Sequence, residues 1–155
     1  MVERSRPRNN SAQLSLRARA LRMLARREHS RLELQRKLEA YDDAAEIEKL
    51  LDDFAGKGWL SESRVLEQLV HARRGKFGSR RIRQELIDKG IAGDLVAQAL
   101  PGLKDGDLEA ARAIWRKKFG KPPRNMNERA RQTRFLLSRG FTADVVRRVV
   151  RGGDD

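Results

Sequence analysis

The chain contains no cysteine, few aromatic residues (five Phe, two Trp and one Tyr) and only four prolines. Without cysteine there can be no disulfide, no thiolate zinc site and no cysteine nucleophile, which fits a reducing compartment. No apolar run is long enough to span a bilayer, and the N-terminus lacks a signal-peptide core, so a cytoplasmic location is expected. The scarcity of aromatics argues against a dedicated base-stacking platform. Acid is also in deficit: 22 Asp and Glu stand against 35 Lys and Arg in 155 residues, a formal charge of +13. Such an excess sets up a long-range positive field whose usual partners are nucleic acid, an anionic membrane or an acidic protein face. Nucleic acid or a nucleoprotein is favoured among these.

Catalytic constellations are missing too. His29 and His71 are far apart in sequence. Glu67 and His71 share a helix face, but two further metal ligands are wanting, so a surface pair is expected. The doublets Asp42-Asp43, Asp52-Asp53 and Asp154-Asp155 lack calcium-loop spacing. Gly75-Lys76-Phe77-Gly78-Ser79 is not a phosphate loop, because Phe77 interrupts the required triplet and no strand precedes it. We expect no enzyme, no metal and no cofactor.

What is present is helical periodicity throughout. Leu16, Ala20, Met23 and Leu24 fall on one face. Ser30-Arg31-Leu32-Glu33 is a capping box, in which serine and glutamate each satisfy an orphan amide. The helix it opens carries Leu34, Leu38 and Tyr41; the next carries Ala44, Ile47, Leu51 and Phe54 and ends at Gly56-Lys57-Gly58. Val65, Leu66, Leu69 and Ala72 mark a further helix, and Ser79 is the expected N-cap of the one carrying Ile82 and Leu86. Pro101-Gly102 is expected to end a short helix containing Leu95, Val96, Ala99 and Leu100. Leu108, Ala111, Trp115 and Phe119, then Met126, Ala130, Leu136 and Leu137, then Val145, Val146, Val149 and Val150 mark the last three, with Thr142 capping the last. No alternating run with hairpin chemistry occurs, so no sheet is expected.

Leu38, Leu86 and Leu136 hold one equivalent position at a spacing of about 50 residues, a period typical of helical arrays. Four residues earlier stand Leu34, Ile82 and Gln132, the last a polar residue at a core position. Lys89-Gly90-Ile91 and Arg139-Gly140-Phe141 are matching closures, which the first unit lacks. The fold class is therefore all-α: three tandem three-helix repeats, residues 14–58, 59–103 and 104–155, in an elongated, curved array, preceded by a disordered basic arm at 1–13.

The ordered set formed by Ser30–Leu38, Arg73–Ile91 and Phe135–Phe141 resembles the RecX family, regulators of the RecA recombinase, over residues 16–151. That resemblance implies three three-helix repeats and a non-enzymatic modulator. It further implies binding to RecA nucleoprotein filaments, suppression of ATP hydrolysis, strand exchange and coprotease activity, and weak, non-specific binding to single- and double-stranded DNA. A monomer without membrane association is expected.

Two basic runs are the candidate binding residues. The first is Arg73, Arg74, Lys76, Arg80, Arg81 and Arg83, set around a glycine turn. Its helix start offers serine, amides and a positive dipole end to an anion, although Glu85 could pair with Arg81. The second is Arg112, Arg116, Lys117, Lys118, Lys121 and Arg124, where Arg112 and Arg116 share a face. Trp59 and Trp115 are expected to pack between repeats. The alternative is a sequence-specific helix-turn-helix protein that reads duplex DNA with Ser79–Lys89.

Overall fold

The computed structural model describes residues 14–152; the arm expected at 1–13 lies outside the described residues. Among the described residues there are nine α-helices and no strand: α1 (Leu16–Arg26), α2 (Arg31–Leu38), α3 (Ala44–Gly56), α4 (Glu62–Arg73), α5 (Ser79–Asp88), α6 (Gly93–Asp105), α7 (Asp107–Lys118), α8 (Met126–Ser138) and α9 (Ala143–Gly152). The chain divides after Val65 into two compact units, with α4 beginning in the first and continuing into the second.

In the N-terminal unit, α2 packs on both α1 and α3. Ala20, Leu34, Leu38, Ile47, Leu51 and Phe54 form the buried core. Both halves of the expected capping box are made, with Glu33 N–H donating to Ser30 Oγ and Ser30 N–H to Glu33 Oε1, each at 3.1 Å. Asp43 caps α3 by accepting from Glu46 N–H at 2.9 Å. Tyr41 departs from expectation. Helix α2 stops at Leu38, and Tyr41 stands 52 % exposed in the following turn with the Arg19 guanidinium 4.0 Å above its ring. Its phenol can reach water there while its ring stacks on a cation.

In the C-terminal unit, α7 packs on α8 and α9, and α6 on α5 and α7. Ala111, Trp115, Leu136, Phe141, Val146, Val149 and Val150 are its main core. The repeat register holds in three dimensions: Leu34, Ile82 and Gln132 are all buried, as are Leu38, Leu86 and Leu136. Gln132 is accommodated because the Trp115 indole N–H donates to its Oε1 at 2.9 Å, while its own amide donates to the Lys121 carbonyl at 3.0 Å. Satisfied in this way, a core amide escapes most of the desolvation penalty. Trp115 thus packs inside the core of the third repeat and not between repeats, whereas Trp59 is 40 % exposed and tilts against Phe54.

Two helix boundaries differ from the sequence reading. Pro101 lies inside α6 instead of ending it. It lacks the N–H that would bond back to Ala97, but Leu103 beyond it is buried and draws the last turn into the core. Gly78, not Ser79, is the N-cap of α5, and it supplies no side-chain cap.

The start of α5 meets the α8–α9 turn backbone to backbone. Gly78 N–H donates to the Arg139 carbonyl at 2.7 Å, and Arg80 N–H to the Gly140 carbonyl at 3.1 Å. A Cβ at Gly78 would sit 2.5 Å from the Gly140 carbonyl oxygen. Gly140 also needs its missing side chain: its φ is +92°, and a Cβ there would lie 2.5 Å from Arg81 Cβ. Gly78→Ala should therefore cost about 1–3 kcal/mol in urea unfolding, as overpacking against backbone does. Gly93→Ala, which points into open space, should leave stability unchanged or raise it slightly. Equal stability of the two variants would contradict the close contact.

Candidate polyanion-binding surface

The first basic run is not a uniform patch. Arg73 lies against Glu85, with its Nε 3.0 Å from the carboxylate. Arg74 is drawn inward, its guanidinium donating to Asp107 Oδ1 at 3.0 Å and to the Leu103 carbonyl at 2.6 Å. Asp107 is buried and belongs to the first turn of α7. It also receives Ser79 N–H at 2.9 Å and the Ser79 hydroxyl. A carboxylate therefore does occupy the positive end of α5, as its chemistry invites, but the carboxylate comes from within the chain. The expected open anion site at that helix start is filled. Ser79 is buried, and its hydroxyl turns inward to Asp107.

What remains for an external anion is Lys76, Arg80, Arg81 and Arg83, all exposed. Glu85 does not neutralise Arg81, because Arg73 engages it. Arg81 instead lies 4.1 Å above the centroid of Phe77. The Arg139 guanidinium also lies over that ring, at 5.4 Å, and over Phe135 at 5.0 Å. Lys118 Nζ then approaches Phe135 at 5.3 Å. Arg81, Phe77, Arg139, Phe135 and Lys118 thus form an alternating ladder of cations and rings. It links the first basic run on α5 to the end of the second on α7. Stacking holds the guanidinium planes without consuming their N–H donors, so their edges stay open to oxyanions.

In the second run, Arg116, Lys117, Lys118, Lys121 and Arg124 are exposed and Arg112 is half-buried. Arg124 is partly spoken for by Glu128 at 3.2 Å. The backbone N–H of Arg124 and then its guanidinium hold the Glu128 carboxyl below its ordinary range. Arg112 parts company with the rest of its run. It lines a cleft of about 950 Å³ among α7, α8 and α9, together with Arg129, Arg147, Arg148 and Arg151. The sequence reading passed over the last four. A signal for three of them was present, since Arg147, Arg148 and Arg151 alternate with the buried valines of α9 at helical spacing. Phe77, Phe135 and Arg139 were missed as parts of a surface because Phe77, in the α4–α5 turn, meets the end of α8 only through the fold. Among the described residues, no cluster of His, Cys, Asp and Glu could hold a metal ion, and no helix is long and apolar enough to cross a membrane.

Fold and surface define an all-α protein of three-helix repeats whose second and third repeats expose cations. Two family models match the chain: the second three-helix domain of RecX over residues 61–100 and the third over residues 105–150. Regulatory protein RecX of Leptothrix cholodnii is 53 % identical over 147 residues, 94 % of each chain. That of Ralstonia nicotianae is 44 % identical over 142 residues, 91 % of this chain and 89 % of the relative. The crystal structure of RecX from Lactobacillus salivarius shares the fold at a TM-score of 0.72 and 19 % identity, over 90 % of this chain and 94 % of that one. The chain belongs to the RecX family.

The division of the first basic run can be measured. Arg74→Ala leaves the buried Asp107 carboxylate without its guanidinium and should cost about 3 kcal/mol. Arg80→Ala should stay within about 0.5 kcal/mol of the parent. Chemical denaturation of both variants checks this, and a harmless Arg74→Ala would refute the structural role.

Proposed function

We propose that this chain binds RecA nucleoprotein filaments and restrains them, lowering ATP hydrolysis, strand exchange and coprotease activity and so limiting recombination and the SOS response. Family membership carries this reading, and the outward cations of the second and third repeats give it a physical means. Residues 14–58, 59–103 and 104–155 act as its three modules. It works as a cytoplasmic monomer and a binding protein, without a catalytic step of its own.

The ladder from Arg81 to Lys118 and the exposed Lys76, Arg80 and Arg83 engage acidic filament surface, DNA phosphate, or both. Contacts with phosphate are independent of sequence, so single- and double-stranded DNA alone are bound weakly. Two modules touching neighbouring filament subunits gain avidity, because the second contact forms at high effective concentration. A bridge between subunits resists the rearrangements that ATP turnover requires.

Sub-stoichiometric amounts of the protein should lower the single-strand-dependent ATPase of RecA. Unchanged hydrolysis across a titration rejects the reading. Arg80→Glu combined with Arg81→Glu should weaken filament binding about tenfold or more, since charge-assisted contacts become repulsive. Its circular dichroism should match that of the parent. Binding by the parent should also fall steeply as salt rises; salt-insensitive binding would point to an apolar interface instead.

A further inference from the structure

The N-terminal unit carries a concentration of cations that the preceding reading does not use. Arg19, Arg22 and Arg26 recur along α1 at helical spacing, and Arg27 follows directly. Lys37 faces them from α2, and together they line a cleft of about 480 Å³ that, among the described residues, no carboxylate lines. Glu33 pairs with Arg27 at 2.9 Å, which leaves the lining strongly positive.

The cleft contains a buried histidine, His29, 2 % exposed. Its Nδ1 lies 3.0 Å from the Arg27 carbonyl, which can only accept, so Nδ1 carries the proton. Its Nε2 therefore has a lone pair, and Lys37 Nζ donates to it at 2.9 Å. A neutral imidazole thus aims an ammonium group without cancelling its charge. Burial, then the neighbouring Arg27 and Lys37, hold the His29 pKa below its ordinary 6.5.

The size of the row decides what it fits. Arg19 to Arg26 spans about 10 Å along the helix, longer than one tetrahedral oxyanion. Leu14 and Met23 are its apolar lining residues, and among the described residues no aromatic ring lines it to stack on a base. Guanidinium groups pair with phosphate oxygens in bidentate fashion, and a row of this length offers them to more than one phosphate group at once.

We propose that the cleft formed by Arg19, Arg22, Arg26, Arg27 and Lys37 around His29 is a binding site for an oligophosphate, a ligand with two or more linked phosphate groups. Inorganic oligophosphate and the tail of a nucleoside triphosphate share that chemistry. A bound oligophosphate also couples to His29, because a nearby anion favours imidazolium. The charged groups around that imidazole are Arg19, Arg22 and Arg26 on α1, Arg27 in the connection, and Glu33 and Lys37 on α2. Without ligand, a depressed histidine pKa means that its stabilisation is complete above pH 6.5 and is lost as pH falls from there towards the folded value. Ligand should oppose that loss.

Calorimetric titration of the full chain with tripolyphosphate, ATP and orthophosphate tests the site, together with NMR observation of the His29 ring in a His71→Gln background. Neither RecA nor DNA is present, so the outcome is independent of the filament reading. Tripolyphosphate should bind at one site per chain, about tenfold or more tighter than orthophosphate, and raise the His29 titration midpoint. Comparable binding of ATP identifies the triphosphate tail as sufficient, and failure of ATP identifies the inorganic chain as the ligand; both support the site. Arg22→Glu with Arg26→Glu, two exposed positions, should weaken binding about tenfold or more, and Lys37→Gln provides a milder variant that keeps the fold. Arg147→Glu with Arg148→Glu should retain binding. No saturable binding, equal affinity for orthophosphate, or binding that survives both N-terminal variants would overturn the proposal.

Discussion

The buried carboxylate of Asp107 organises the C-terminal unit. It stands in the first turn of α7 and at the same time closes the first turn of α5, through Ser79, while Arg74 neutralises it. Two helix starts, each with a positive dipole end, converge on one negative group. Arg74 extends the arrangement by bonding the Leu103 carbonyl at the end of α6, and it lies so close to Gly106 that a Cβ there would come within 2.7 Å of its guanidinium. Helices α5, α6 and α7 are thereby fixed by charge as well as by apolar contact. With α5 held there, Gly78 can meet the α8–α9 turn, and the third repeat is registered against the second.

That constraint sorts the cations. In a cluster of six, Arg73 and Arg74 are used inward, while Lys76, Arg80, Arg81 and Arg83 face outward. The glycine turn that separates the two groups also lifts Phe77 between Arg81 and Arg139. The same device recurs at Phe135, so on this surface a chain poor in aromatics uses two of its rings to hold guanidinium groups. The low aromatic count argued against a base-stacking platform, but it left room for rings that position cations.

Local order was legible and long-range polar pairing was not. The stripe positions of Leu34, Leu38, Ile82, Leu86 and Leu136 and the Ser30 capping box are written in spacings of three and four residues. The closures Lys89-Gly90-Ile91 and Arg139-Gly140-Phe141 were equally readable, since Gly90 and Gly140 both adopt positive φ and the next residue is buried. Asp107 pairs with residues 28 and 33 positions away, and no local period announces that. Charge composition pointed to an anionic partner, but it could not say which arginines the fold would consume. The misplaced Tyr41 and Ser79 lie at helix ends, where boundaries are least sharply set by local pattern, whereas Pro101 lies inside α6, which continues past it to bury Leu103.

The central claim is that the anion-attracting end of α5 is satisfied from inside and that affinity resides in the outward cations. Asp107→Asn tests it most directly, with thermal unfolding and filament binding measured on the same protein. The account predicts a transition lowered by several degrees, on the scale of about 2 kcal/mol or more for a disrupted buried ion pair, with unchanged filament affinity well below that transition. An unaltered transition, or a folded variant whose affinity rises because the α5 end has become free for an external anion, would contradict it.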